Sequence, residues 1–104
     1  MSAHRNLPPL PALRIFEAAS RRQSFLLAAR ELNLTPGAVS KQIRQLEEHL
    51  GLPLFERLHR EVRLTAAGAN YARAIGQLFE DLRAATAEVM VSPAADKLGV
   101  WCAP

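Results

Sequence analysis

A chain of 104 residues, 49% of them hydrophobic, suffices for one small domain with an appendage, and a core that small gains from oligomerisation. The formal net charge of +3 and pI near 9.8 are unevenly placed, since residues 1–65 hold ten Lys/Arg against six Asp/Glu and residues 66–104 hold three against four. The basic part favours an acidic partner such as nucleic acid. The lone Cys102 excludes an internal disulfide, no Cys/His cluster has metal-ligand spacing, and no stretch approaches the roughly 18 apolar residues of a spanning helix, so the expectation is a cytoplasmic protein without metal, cofactor or membrane segment.

In chain order, residues 1–8 are polar and Pro-punctuated. Pro9 or Pro11 opens a first helix running to about Arg21, with Leu13, Phe16 and Ser20 on one side and Ala12, Ile15 and Ala19 beside them. Ser24 precedes an apolar run and can accept a first-turn backbone N–H, so a second helix starts there. Leu27, Ala28 and Leu32 recur along it at helical spacing, and Asn33-Leu34 interrupts it. Thr35-Pro36 begins a third helix, since Thr caps and Pro is tolerated in the first turn; Gly51 and Pro53 end it. On a wheel of about 100° per residue, Val39, Ile43, Leu46 and Leu50 form one stripe, while Gly37, Ser40, Lys41 and Arg44 fall nearly opposite. One face is core and the other is free for contact.

Beyond Gly51, Leu54-Phe55 and Val62-Arg63-Leu64 are short strand candidates around a charged stretch with Arg57, His59, Arg60 and Glu61, which predicts a small β-hairpin with a basic tip. Thr65 caps a fourth helix from Ala66 to about Val91, about 37 Å long at ~1.5 Å per residue, which exceeds what so small a core needs. Its apolar positions Tyr71, Ile75, Leu78, Leu82, Ala85 and Val89 follow the 4-3-4-3-4 spacing of a two-stranded coiled coil. Its first two turns are expected to pack on the chain's own first helix and the remainder to form a dimer surface. Residues 92–96 read as a linker and residues 97–104 as a strand with nothing to pair with, which suggests a truncation before a further domain. Trp101 and Cys102 receive no role.

Residues 7–68 resemble the winged helix-turn-helix domain of LysR-type transcriptional regulators. The resemblance is carried by Leu13, Phe16 and Ala19; by Ser24-Phe25, Ala28-Ala29 and Leu32; and by Thr35, Ala38-Val39-Ser40, Gln42-Ile43, Leu46-Glu47 and Leu50-Gly51. It continues through Leu54-Phe55, Arg57, Arg60, Leu64-Thr65, Ala67 and Gly68. The opening LPPLPALRIFEAA resembles the subgroup of glycine-cleavage and β-lactamase regulators. The resemblance implies a mainly α fold: a winged helix-turn-helix domain over residues 1–65, with its helix-turn-helix at 24–43, and a linker helix over 66–91 that pairs two subunits. Residues 92–104 would be the hinge and first strand of a missing effector domain. It further implies a homodimer, with tetramers only in a full-length form, and a small-molecule effector site absent from this chain.

In such a motif the start of the second helix approaches base edges in the major groove. Thr35, Pro36, Gly37 and Ala38 are then nearest the bases, Ser40 and Lys41 lie one turn on, and Arg44 reaches phosphates or a guanine. Arg57 and Arg60 on the wing would enter the minor groove or grip its phosphates. Ser24 can present its hydroxyl and backbone N–H groups to a phosphate as well as cap its helix. Family members often carry Gln followed by Ser or Pro where this chain has Pro36-Gly37, and a more polar pair in place of Leu26-Leu27. Base discrimination there should be weak, and specificity should lean on DNA shape and dimer spacing. His59 reads as a solvated loop residue and His49 as a partner of the helix dipole. Glu47 and Glu48 are expected to pair with Arg side chains at helical spacing, and Gly68 marks a close crossing of the long helix. The leading function is a sequence-specific DNA-binding transcription regulator. The alternative is an interaction module forming mixed dimers with a full-length regulator; nothing indicates an enzyme, since no nucleophile–base set, paired carboxylates or Gly-rich phosphate loop occurs.

Overall fold

The computed structural model describes residues 7–59 and 61–91. The expected roles of Arg60 and of residues 92–104 lie outside them. The elements run α1 (Leu10–Arg22), α2 (Phe25–Leu32), α3 (Pro36–Leu50), β1 (Phe55–Leu58), β2 (Glu61–Leu64) and α4 (Ala66–Val91). This is the mainly helical, winged arrangement expected from the sequence.

Local chemistry sets each boundary. The Ser24 hydroxyl accepts from the Leu27 N–H at 3.0 Å and the Thr35 hydroxyl from the Ala38 N–H at 3.1 Å, so both α2 and α3 start on a side-chain cap, each contributing about 1 kcal/mol. Asn33 closes α2 in the left-handed region (φ 60°), and Gly51 closes α3 there (φ 81°), where a residue without Cβ is unstrained. The strands reach further toward the tip than the apolar residues suggested. Phe55 pairs with Leu64 and Leu58 with Glu61 in an antiparallel register, so Arg57 and Glu61 lie within strands. Backbone pairing carries the hairpin past its apolar positions.

The core gathers the expected stripes. Phe16, Val39 and Ile43 are fully buried, with Leu46 and Leu54 beside them. Phe55 is its aromatic centre: its ring meets Phe16 edge-on at 5.7 Å and Phe25 at 5.2 Å, close to perpendicular. Tyr71 packs on Phe16 at 5.5 Å, and Ile75 and Phe79 are buried. Core packing of α4 therefore extends to Phe79 in its fourth turn, about two turns further than expected; burial also pushes the Tyr71 phenol upward in pKa.

An ion network joins the ends of α1 and α2. Arg21 binds Glu17 at 2.9 Å and Glu31 at 2.5 Å, while Arg22 binds Glu31 at 2.9 Å. Hydrogen bonds from Arg21, then Arg22, hold the Glu31 carboxyl at about 2. A depressed folded-state pKa stabilises above the ordinary carboxylate value, and that stabilisation is lost as pH falls from about 4.5 to about 2. Urea midpoints of wild type and Glu31→Gln should differ at pH 7, modestly because the network is solvent-screened, draw together as the pH falls through about 4, and converge only at about pH 2 and below. A gap that persists there would exclude this ionic origin.

Candidate nucleic-acid interface

The outward face of α3 begins with Thr35, Pro36 and Gly37, all exposed, with Ala38 half-buried behind them. A Cβ built on Gly37 meets nothing within 4 Å, so this end of the helix is open for close approach. One turn on, Ser40 is half-buried and Lys41 exposed, and Arg44 is exposed after it. Lys41 and Arg44 have no ion-pair partner among the described residues. Val39, Ile43 and Leu46 on the opposite side are buried, which fixes the helix rotation and holds the polar face outward.

Beside this face, a cleft of about 310 Å³ separates the start of α2 and α3 from the wing. Ser24, Leu26, Ser40, Arg44 and Arg57 line it. The structure thus brings Ser24, the α3 face and Arg57 together. Ser24 is engaged in its cap, which leaves its remaining hydroxyl capacity facing the cleft region. Leu26 is 49% exposed at the cleft, an apolar side chain at the position flagged as departing from the family pattern.

Two expectations change. Glu47 does not pair at helical spacing. Its carboxylate accepts from the Leu54 N–H at 2.8 Å and the Phe55 N–H at 3.2 Å and meets Arg57 at 3.4 Å, because the chain reverses after Gly51 and brings the start of the wing beneath the end of α3. Of the six seam positions on α4, Tyr71 and Ile75 pack inward on α1, whereas Leu78, Leu82, Ala85 and Val89 are exposed. Phe79, outside that seam, is the buried continuation of Ile75 one turn on. Gly68 is the close crossing expected of it: an added Cβ would collide with the Leu54 carbonyl. Among the described residues no cluster could hold a metal ion, and no helix is long and apolar enough to cross a membrane.

A three-helix unit with a two-stranded wing, whose second and third helices meet at a tight turn and present a capped polar face, is a winged helix-turn-helix. The model of the bacterial regulatory helix-turn-helix proteins of the lysR family matches residues 10–69, and the chain belongs to that family. It is similar to the HTH-type transcriptional regulator TrpI of Pseudomonas aeruginosa, 52% identical over 85 residues that cover 82% of this chain and 29% of the relative. It is also similar to the glycine cleavage system transcriptional activator of Escherichia coli K12, 45% identical over 100 residues that cover 96% of this chain and 33% of the relative. The chain spans about a third of the length of these relatives. Among solved structures, the complex of the BenM DBD with catB site 1 DNA superposes with a TM-score of 0.72 at 32% identity, covering 80% of this chain and 89% of that one.

Proposed function

We propose that this chain binds duplex DNA and serves as the DNA-reading part of a dimeric transcription regulator. The observation that carries the reading is the open start of α3, residues 35–38, followed on the same face by Lys41 and Arg44, which have no ion-pair partner among the described residues, and flanked by the wing cleft. The start of α3 enters the major groove, where Thr35, Pro36, Gly37 and Ala38 meet base edges and Ser40 adds a hydroxyl. Lys41 and Arg44 hold phosphates, Ser24 meets the backbone at the start of α2, and Arg57 with Arg60 contacts DNA from the wing. The similarity to a domain solved on DNA, and to proteins named transcriptional regulators, supports the same reading. We read the protein as a cytoplasmic DNA reader rather than a catalyst, with residues 1–65 as its DNA-binding domain and residues 66–91 as a linker helix that pairs two copies.

Gel shifts on a duplex selected from a random pool, run across salt concentrations, test it. Combining Lys41→Ala with Arg44→Ala is expected to weaken binding to any duplex and to flatten the dependence of log affinity on log salt by about 2, at ~0.9 per phosphate contact. Wild-type binding to the selected site no tighter than to random duplex, or an unaltered slope in the double variant, would overturn the proposal. The exposed stripe on α4 supports a second reading, in which the chain pairs with a full-length relative; sedimentation of the mixture would reveal the mixed dimer.

A further inference from the structure

Glu47 places a negative charge on the element proposed to read DNA, where it would oppose phosphates unless it had a local task. We infer that Glu47 is a positioning residue for DNA reading: its carboxylate ties α3 to the base of the wing and, together with the Phe25 ring, aims the Arg57 guanidinium into the cleft lined by Ser40 and Arg44. The inference rests on the DNA-binding reading above.

The two carboxylate oxygens have separate tasks. Oε2 accepts from the Leu54 and Phe55 N–H groups at 2.8 and 3.2 Å, which fastens the entry of β1 to the last turn of α3. Oε1 lies 3.4 Å from an Arg57 terminal nitrogen. The Arg57 guanidinium carbon also sits 5.4 Å from the centre of the Phe25 ring, and that ring is held edge-on against Phe55 at 5.2 Å. A guanidinium carries five donors in a rigid fork, so engaging one nitrogen fixes its plane and leaves the others for a phosphate oxygen. A fixed fork adds geometric selectivity that a swinging cation lacks. If Glu47 merely fastened the wing, two N–H groups would need one neutral acceptor; its charge is required only for Arg57.

Glu47→Gln separates these tasks, because a Gln carbonyl can still accept from Leu54 and Phe55. The variant is expected to melt near the wild-type temperature and to lose on the order of tenfold in affinity for the selected duplex, with a salt slope shallower by about 0.9. Affinity for random duplex should not fall, since the variant gains one unit of positive charge. In an Arg57→Ala background Glu47→Gln should change selected-duplex affinity little. Arg57→Lys keeps the charge without the fork and should also lose preference for the selected duplex, which preserves the test if Glu47→Gln fails to fold. A parallel fall on both duplexes, no change on either, an undiminished effect without Arg57, or full activity of Arg57→Lys would overturn the inference. A wild type without preference for the selected duplex would instead refute the DNA reading itself.

Discussion

Replacing Leu78 and Leu82 together by Glu should convert the protein from dimer to monomer and lower its affinity for a two-half-site operator by roughly a hundredfold or more, while leaving single half-site binding nearly intact. Both side chains stand about half exposed, at 46% and 50%, with Val89 at 58%, on a helix whose buried positions end at Phe79, and Leu82 borders the open groove between α1 and α4. An unshielded apolar row of this kind fits the pairing surface proposed for α4. Linking two readers makes the second binding event intramolecular, and its loss removes a gain of about 10²–10⁴. Sedimentation velocity and gel shifts on single and paired half-sites read the two effects. Retention of the dimer by the variant, or a wild type that sediments as a monomer at micromolar concentration, would rule out pairing through this stripe.

The second large effect is on folding. Gly68→Ala should destabilise by on the order of 2 kcal/mol and lower the melting temperature by about 10 °C, although Ala is the better helix former. A methyl there would collide with the Leu54 carbonyl and crowd a Leu64 methyl at 3.1 Å. The carbonyl cannot retreat freely, since it accepts from the Thr65 N–H at 3.0 Å, and Thr65 also donates its hydroxyl to the Pro53 carbonyl at 2.9 Å. Gly76 on the same helix is the control, because an added Cβ meets nothing within 4 Å; Gly76→Ala should stabilise by about 0.5–1 kcal/mol. Thermal melts of both variants decide it, and equal shifts of the same sign would refute the steric account.

The elements governed by local chemistry were legible in the sequence. Ser24, Thr35 and Gly51 bound α2 and α3 through contacts three or four residues away, and Val39, Ile43 and Leu46 reveal the helix rotation by period alone. Glu47 was not legible, because its partners at Leu54, Phe55 and Arg57 become neighbours only after the chain reverses at Gly51. The stripe on α4 was half legible for a different reason. A seven-residue repeat drifts about 20° per heptad around a straight helix. From Ile75 the buried line continues four residues on to Phe79, about 100° from Leu78, whereas Leu82 returns to within about 20° of Ile75 and borders the open groove between α1 and α4. One apolar row in the sequence thus divides into a buried part and an exposed part. Arrangement of Ser24, Arg44 and Arg57 around one cleft required the tertiary fold, since no spacing relates them.

The joint at Gly68 carries a mechanical consequence. Leu54 is gripped from one side by Glu47 of α3 and from the other by Thr65 at the root of α4, so the reading helix, the wing and the long helix share one pivot. In a dimer paired along α4, whose 26 residues extend about 37 Å, each degree of tilt at that pivot would move the far end by roughly 0.7 Å. The permitted gap between two half-sites would then be gauged by this joint, and loosening it should broaden the set of spacings the protein accepts before it alters the bases it prefers.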